Sequence, residues 1–270
     1  MKLISCLTLF FLILTACKSS RPLQDPIPAH ETFSIDSKFL GETRTVNVWK
    51  PSNYASSSEK FPVLYMADGG IREDFPHIAN TLSNLIKSKK IPPIILVGIE
   101  NTQRRRDLTG PTQVEEDRKI APVVGGSKVF RAFIGEELFP FIEKKYRTSP
   151  KKGIIGESLS GLFVMETFLQ HPQMFDDYIA FDPSLWWNDH DLVKIAAEDL
   201  ADFSGAEKTL WFAGSGTEGI SEYTVEMEKI LKSANLPHVK WHYSPEPKED
   251  HGTIFRATKE KALIWTFGQK

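Results

Sequence analysis

The chain has 270 residues, of which 41% are hydrophobic and 25% are charged, and its formal net charge is −2. This balance excludes an intrinsically disordered chain, a protein that spans a membrane throughout, and a general electrostatic attraction to nucleic acid. A single domain of the size of an enzyme is expected.

The first residues predict export and a lipid anchor. Residues 3–14 form an apolar run that is too short to span a bilayer as a folded helix. Leu14-Thr15-Ala16-Cys17 follows at once and resembles a bacterial lipoprotein signal. That resemblance implies a signal peptide over residues 1–16, a lipid on Cys17, and a place in the bacterial cell envelope, at the periplasmic face or the cell surface. An ordinary secretory peptide cut after residue 16 is the alternative.

A polar tether is expected to link the anchor to the domain. The sequence KSSRPLQDPIPAHE follows Cys17 and is rich in proline, with no apolar period. Cys6 would leave with the signal, so that Cys17 would be the one remaining cysteine and no disulfide could form. We therefore expect the lipidated cysteine and tether over residues 17–30 and the folded domain over residues 31–270.

Within that domain, strands alternate with helices. Residues 32–39 and 43–49 are rich in β-forming residues and predict an antiparallel hairpin. Short apolar runs predict buried strands, and longer amphipathic stretches predict helices. In chain order, further strands are expected at 61–68, 93–100, 152–155, 178–181, 209–213 and 239–243, and helices at 75–86, 126–146, 161–169, 191–200, 223–231 and 254–267.

This order of elements predicts the fold class. Strands that alternate with helices favour an α/β sandwich with a mostly parallel sheet, an antiparallel N-terminal hairpin and helices on both faces. In such a sheet, functional groups collect at the carboxyl ends of the strands. The candidate residues can be judged against that rule.

A nucleophile elbow is predicted at Ser158. A Gly-x-Ser-x-Gly elbow turns so tightly between strand and helix that the residues two before and two after the serine must be small. Around Ser158 these are Gly156 and Ser160, whereas an elbow centred on Ser160 would place Leu162 at the far flank. Ser158 is therefore the predicted nucleophile. A plain strand-to-helix connection is the alternative interpretation.

The predicted general base is His251. Among the seven histidines it alone lies in a loop just after the last predicted strand, and Gly252 follows it. Such a histidine can take the Ser158 proton and return it to the leaving group. The carboxylate that orients it stays open: Glu218, in the glycine-rich loop after the penultimate strand, is preferred, and Asp182, at the end of the strand after the elbow, is the alternative.

An oxyanion needs two preorganised backbone N–H donors. Leu159 follows the nucleophile at the start of a helix and is one predicted donor. The other is expected from the loop Asp68-Gly69-Gly70, which ends a predicted strand, unless the two glycines form only a plain turn. Histidines and carboxylates do not recur at ligand spacing, so neither a metal nor an organic cofactor is predicted.

Two groups of side chains are candidates for the substrate pocket. Arg104, Arg105 and Arg106 follow a buried strand, and one of them could attract an anionic substrate, although a solvated basic loop is the alternative. Trp186 and Trp187 follow a later strand and could stack on an aromatic or sugar ring, or serve only in packing.

These segments together resemble the putative esterase family of the α/β-hydrolases, and its siderophore esterases of the enterobactin type most of all. The resemblance covers residues 31–267 and rests on VLYMADGG, VGIENTQRRRDLTGP, FRAFIGEELFPFIEKKYRTSP, GESLSGLF, FDPSLWWN and DHGT. It implies that Ser158 and His251 are catalytic, that Gly70 is an oxyanion donor, and that Trp186 and the loop with Arg106 form the pocket wall.

The predicted function is hydrolysis of carboxylic esters by a Ser-His-acid mechanism through an acyl-enzyme. The expected substrate is a small-molecule ester, of a siderophore or another aromatic or acidic compound. A non-catalytic lipoprotein that binds a ligand in the same fold, a carbohydrate or feruloyl esterase, and an acyltransferase are the alternatives. Ser160 departs from the glycine that the family usually has, which leaves the elbow slightly more strained.

Overall fold

The computed structural model describes residues 25–201, 203 and 206–268. The predicted signal peptide and Cys17 lie outside the described residues and stay predictions. Within the described part of the chain, no helix is both long and apolar enough to cross a membrane.

Eight strands form one sheet at the centre of the molecule. They are β1 (Glu31–Ser37), β2 (Glu42–Trp49), β3 (Phe61–Met66), β4 (Ile95–Ile99), β5 (Thr148–Glu157), β6 (Asp177–Phe181), β7 (Lys208–Ser215) and β8 (Val239–Glu246). Their order is β1-β2-β4-β3-β5-β6-β7-β8. β2 runs antiparallel to β1 and β4, and the remaining pairs are parallel. The predicted mostly parallel sheet with an antiparallel opening hairpin is confirmed.

Helices cover both faces of this sheet. They are α1 (Phe75–Lys87), α2 (Arg104–Leu108), α3 (Glu115–Ile120), α4 (Ser127–Ala132), α5 (Phe139–Lys145), α6 (Leu159–Gln170), α7 (Trp187–Ala201), α8 (Ser221–Ser233) and α9 (Ile254–Phe267). Apolar residues of α1 and α9 fill a core on one face, and those of α4 to α8 fill a second core on the other. The predicted α/β sandwich is therefore confirmed.

The helix predicted over residues 126–146 is divided. A π-helical segment, Phe133–Leu138, lies between α4 and α5, and Pro140 is at the start of α5. Proline has no backbone N–H to donate to the preceding turn, so the regular ladder of hydrogen bonds cannot continue through it. The helical path itself is as predicted.

The described part of the predicted tether is fastened to the domain. Asp25 forms an ion pair with Arg256 in α9, with 2.6 Å between Oδ2 and Nη2. Asn80 in α1 donates a hydrogen bond to the carbonyl of Pro26 at 2.7 Å. Residues 25–30 thus have no helix or strand, but Asp25 and Pro26 contact α9 and α1, so this part of the predicted flexible tether is attached to the domain; its residues 17–24 lie outside the described residues.

The first turn of α7 has an unusual backbone. Asn188, Asp189 and His190 all have left-handed φ angles, of 51°, 54° and 50°. Such a conformation costs about 1–2 kcal/mol per residue other than glycine. The Asn188 side chain and backbone offset part of this cost, because its N–H donates to Asp117 at 2.8 Å and its Oδ1 accepts from Gln113 N–H at 2.9 Å.

Candidate active site

Ser158 lies at a sharp turn between β5 and α6. Its φ of 60° and ψ of −121° are strained for a residue with a side chain. A Cβ at Gly156 would approach Ser160 Oγ to 2.2 Å, so only glycine fits there. The turn therefore has the small flanking residues, Gly156 and Ser160, that a nucleophile elbow at Ser158 needs.

His251 meets Ser158 from the other side of the turn. The histidine lies between β8 and α9, and its Nε2 is 2.9 Å from Ser158 Oγ. Its backbone N–H donates to Thr217 Oγ1 at 3.0 Å, which fixes the loop. The structure thus brings together the two residues that the sequence paired as nucleophile and base.

Asp182 is the carboxylate that contacts this histidine. Its Oδ2 lies 2.7 Å from His251 Nδ1, and its side chain is fully buried. The N–H of Ser215 donates to Oδ1 at 2.7 Å and the Ser215 hydroxyl donates to Oδ2 at 2.9 Å. The hydrogen bond to Asp182 raises the pKa of His251, while burial opposes it.

The preference for Glu218 as the acid was wrong. Glu218 is exposed in the turn between β7 and α8, and the alternative, Asp182, occupies the place beside His251. Asp182 directly follows β6, which pairs with β5 and so reaches the elbow's edge of the sheet. The loop of Glu218 does touch the histidine, but through the hydroxyl of Thr217.

The predicted oxyanion donors, Leu159 and Gly70, follow two neighbouring strands of the sheet, β5 and β3. Leu159 is the first residue of α6. β3 and β5 are parallel neighbours with Met66 opposite Ile155, so the loop with Gly70 follows β3 at the level of the elbow. The N–H of Gly70, however, already donates to Glu73 Oε2 at 2.7 Å.

Arg104 is the arginine nearest the elbow, and it is already paired. Its guanidinium binds Asp68 with two hydrogen bonds, of 2.5 and 2.8 Å. Its Nη2 also reaches the backbone oxygen of Glu157 at 3.4 Å. A bidentate pair of this kind neutralises the cation and holds the two loops together, so Arg104 does not present a free positive charge to a substrate.

Arg106 does not have the predicted position in the pocket wall. Its guanidinium binds Glu42 and Asp107, each at 2.7 Å, and a buried Arg44 joins the same carboxylates. The hydrogen bond from Arg106 lowers the pKa of Glu42 to about 2. Arg106 therefore links β2 to α2 as part of an ion-pair network, and its guanidinium is engaged by two carboxylates.

Trp186 lies close to the site along the chain. It is half-buried and follows Ser184 by two residues, and the Ser184 hydroxyl is 3.4 Å from Ser158 Oγ. Trp187 packs in the core and donates from Nε1 to the Gly110 carbonyl at 3.2 Å. The contribution of Trp186 to a pocket wall stays a prediction.

Glu157 is a site residue that the sequence reasoning did not consider. Its Oε1 lies 3.5 Å from His251 Nε2, with the side chain 17% exposed. Burial raises the pKa of this carboxyl group to about 7. Its position directly before the nucleophile could have revealed it, because every elbow places that residue at the same edge.

Ser158, His251 and Asp182 form a continuous chain of hydrogen bonds that can activate a hydroxyl for attack on a carbonyl. Within the described residues, no group of three or more histidine, cysteine, aspartate or glutamate side chains is placed to hold a metal ion. The hydrogen-bonded chain of Ser158, His251 and Asp182 supplies nucleophilic and acid–base chemistry at this edge.

Comparison with known proteins agrees with this chemistry. Ferri-bacillibactin esterase BesA of Bacillus subtilis is 31% identical over 188 residues, which are 62% of this chain and 63% of that protein. The apo-salmochelin esterase of Escherichia coli is 27% identical over 259 residues, 87% of this chain and 78% of that protein. Both are named as ester hydrolases, the enzyme class that the sequence resemblance predicted.

Solved structures show the same fold. An IroE-like serine hydrolase from Shewanella oneidensis matches with a TM-score of 0.78 and 26% identity, over 88% of this chain and 79% of the other. The model of the putative esterase family matches residues 37–216, well over half of the 270 residues. The chain therefore belongs to the putative esterase family.

Proposed function

We propose that the chain hydrolyses carboxylic esters through an acyl-enzyme formed on Ser158. The observation that carries this proposal is the path from Ser158 Oγ to His251 Nε2, at 2.9 Å, and from His251 Nδ1 to Asp182, at 2.7 Å. It supplies a nucleophile, a base and a buried anion in the order that acyl transfer requires.

The steps follow from the geometry. Ser158 Oγ attacks the ester carbonyl while its proton passes to His251 Nε2. Asp182 keeps the other proton on Nδ1 and stabilises the imidazolium, which then protonates the leaving alcohol. Water, activated by the same histidine, releases the acid from Ser158. The N–H of Leu159, at the start of α6, stabilises the oxyanion in both halves of the reaction.

The substrate class is proposed from the relatives and from the charge at the site. The chain spans 63% of the length of the Bacillus relative, whose name specifies a ferric siderophore, and 78% of the Escherichia coli relative, whose name specifies an iron-free one. We propose a siderophore ester for this chain as well. Arg104 is neutralised by Asp68, and Glu157, whose pKa burial raises to about 7, adds part of a negative charge beside His251 at neutral pH. An iron-free ester should therefore suit the site better than its ferric catecholate complex, which carries a net negative charge.

A panel of esters tests this substrate class. It contains a catecholate siderophore triester with and without iron, a feruloyl ester, and p-nitrophenyl acetate and butyrate. We expect the iron-free triester to give the highest kcat/KM. A preference for the feruloyl ester would refute the siderophore proposal. Binding of the triester by a protein that hydrolyses none of the panel would instead support a ligand-binding lipoprotein.

We also propose that the chain is held at the cell envelope by a lipid on Cys17. The support is the sequence Leu14-Thr15-Ala16-Cys17 after a short apolar run. The variant Cys17→Ser should move the full-length protein from the membrane fraction to the soluble fraction, with unchanged ester hydrolysis. A variant that stays with the membrane would contradict the lipid anchor.

A further inference from the structure

Glu73 holds the loop that contains Gly70. One of its carboxylate oxygens accepts the Gly70 N–H at 2.7 Å, and the Glu73 N–H donates to the Gly70 carbonyl at 3.0 Å. The other carboxylate oxygen accepts from Asn101, at 3.1 Å from Nδ2 and 3.3 Å from the backbone N. The carboxylate therefore joins the loop after β3 to the loop after β4.

The Gly70 N–H is also the predicted second donor to the oxyanion that forms during hydrolysis. The loop of Gly70 lies at the level of the elbow, since Met66 pairs with Ile155 in the parallel strands below. An oxyanion hole with Leu159 alone would have one donor where two are needed. An N–H that donates to a carboxylate at 2.7 Å has no second hydrogen to offer, so an ester oxygen and Glu73 compete for it.

The surroundings make the Glu73 carboxylate displaceable. Among the described residues Glu73 has no ion pair, and the guanidinium of Arg104 is bound to Asp68 instead. Burial raises the pKa of Glu73, and the negative charge of Asp68 raises it further. The carboxylate thus remains in place through neutral N–H donors, and an oxygen with developing negative charge can replace it.

We propose that Glu73 is a positioning residue that controls the oxyanion hole: its carboxylate occupies the Gly70 N–H in the resting enzyme and leaves when the ester carbonyl enters. The inference rests on the proposed function of Ser158. In each acylation step, the hydrogen bond between the Gly70 N–H and the Glu73 carboxylate would break.

Two variants of Glu73 test the inference. Glu73→Gln keeps an acceptor for the Gly70 N–H but without charge, and Glu73→Ala removes the acceptor. Because charge-assisted hydrogen bonds are about twice as strong as neutral ones, kcat/KM for p-nitrophenyl acetate should increase from wild type to Gln to Ala, by about tenfold in the last. The rate at which a fluorophosphonate labels Ser158 should increase in the same order, since it needs the same two donors.

A purely structural role predicts the reverse order. If Glu73 only supports the turn, Gln should resemble wild type and Ala should lose both activity and melting temperature. Glu100→Gln is the matched control, because a Cβ at Gly70 would lie 2.9 Å from Glu100 Cγ, so this carboxyl-bearing side chain is also adjacent. An equal gain in the Glu100 variant would show that negative charge, and not the hydrogen bond, limits the rate, and would overturn the inference.

The two proposals fail in different ways. A wild-type protein that neither hydrolyses p-nitrophenyl acetate nor reacts with the fluorophosphonate at Ser158 would refute the proposed function. It would refute the role of Glu73 as well, because that role depends on the reaction of Ser158. A wild-type protein that does both, with Glu73 variants that are unchanged or slower, would refute the role of Glu73 alone.

Discussion

Ser158→Ala is expected to lower kcat/KM for p-nitrophenyl acetate by about three orders of magnitude or more, with little change in melting temperature. The hydroxyl is the atom that His251 Nε2 contacts at 2.9 Å, and alanine offers no nucleophile in its place. The residual activity of the variant would come from the backbone N–H donors, which still polarise the ester carbonyl. Steady-state hydrolysis beside the wild type measures the effect.

Two neighbouring serines provide matched controls. Ser160 is buried behind the elbow, and its replacement by alanine should leave most of the activity. The Ser184 hydroxyl lies 3.4 Å from Ser158 Oγ, so Ser184→Ala should have an intermediate effect at most. If the Ser158 variant keeps its activity while the Ser160 variant loses it, the nucleophile has been assigned to the wrong serine.

Asp182→Asn is expected to lower kcat by about 10³- to 10⁴-fold. The asparagine amide would present an N–H₂ group to His251 Nδ1 and favour the tautomer with its proton on Nε2, which cannot accept a proton from Ser158. Glu218→Gln is the matched control and should leave kcat unchanged, because Glu218 is exposed. Comparable losses in both variants would contradict the assignment of the acid.

The pH profile gives a second measure of the same assignment. The general base must be neutral, so kcat/KM rises as pH passes the pKa of His251 in the free enzyme. The hydrogen bond to Asp182 raises that pKa above its ordinary value near 6.5, and the charge of Glu157 adds to it. Asp182→Asn should therefore shift the acid limb to lower pH. A limb that moves in the Glu218 variant and not in the Asp182 variant would reverse our conclusion.

The acid limb of the kcat/KM profile depends on the ionisation of two groups, His251 and Glu157. Glu157, with a pKa of about 7, lies 3.5 Å from His251 Nε2 and ionises over the same range. Two carboxyl or imidazole groups that interact this closely titrate as a pair. We therefore expect a wild-type limb broader than that of a single ionisation.

Most of the sheet was predictable because its strands carry local signals. Apolar runs bounded by polar turns gave every strand its approximate place, and the helix predicted at 254–267 matches α9 at both ends. The short helices α2 and α3 were not predicted. They have five and six residues, too few for an apolar period to appear, and their sequences RRRDL and EEDRKI are mostly charged.

The site was predictable only where its chemistry is local. Ser158 follows from a turn that needs small flanks, and His251 from its position after the last strand. Asp182 is separated from His251 by 69 residues, and only the pairing of β6 with β5 brings its carboxylate within reach. The contact between Glu73 and Gly70 depends on the path of one loop. The position of Asp182 made it one of two candidate acids, but nothing in the sequence ranked it above Glu218, and no sequence pattern indicates the contact between Glu73 and Gly70.

The backbone at the strand ends bears on how such a protein could evolve. β3, β5 and β6 are adjacent, and each is followed by a residue with a left-handed φ: 55° at Asp68, 60° at Ser158 and 43° at Asp182. The conformation of Ser158 costs about 1–3 kcal/mol for a residue with a side chain, aspartate tolerates a positive φ more readily, and glycine adopts it freely. A descendant that only binds its ligand would gain stability from glycine at Ser158, whereas glycine at Asp182 would leave the Ser215 N–H and hydroxyl without their acceptor. The side chain of Ser158 therefore lowers the stability of the fold relative to glycine, which a chain that catalyses at this turn requires and a chain that only binds a ligand does not.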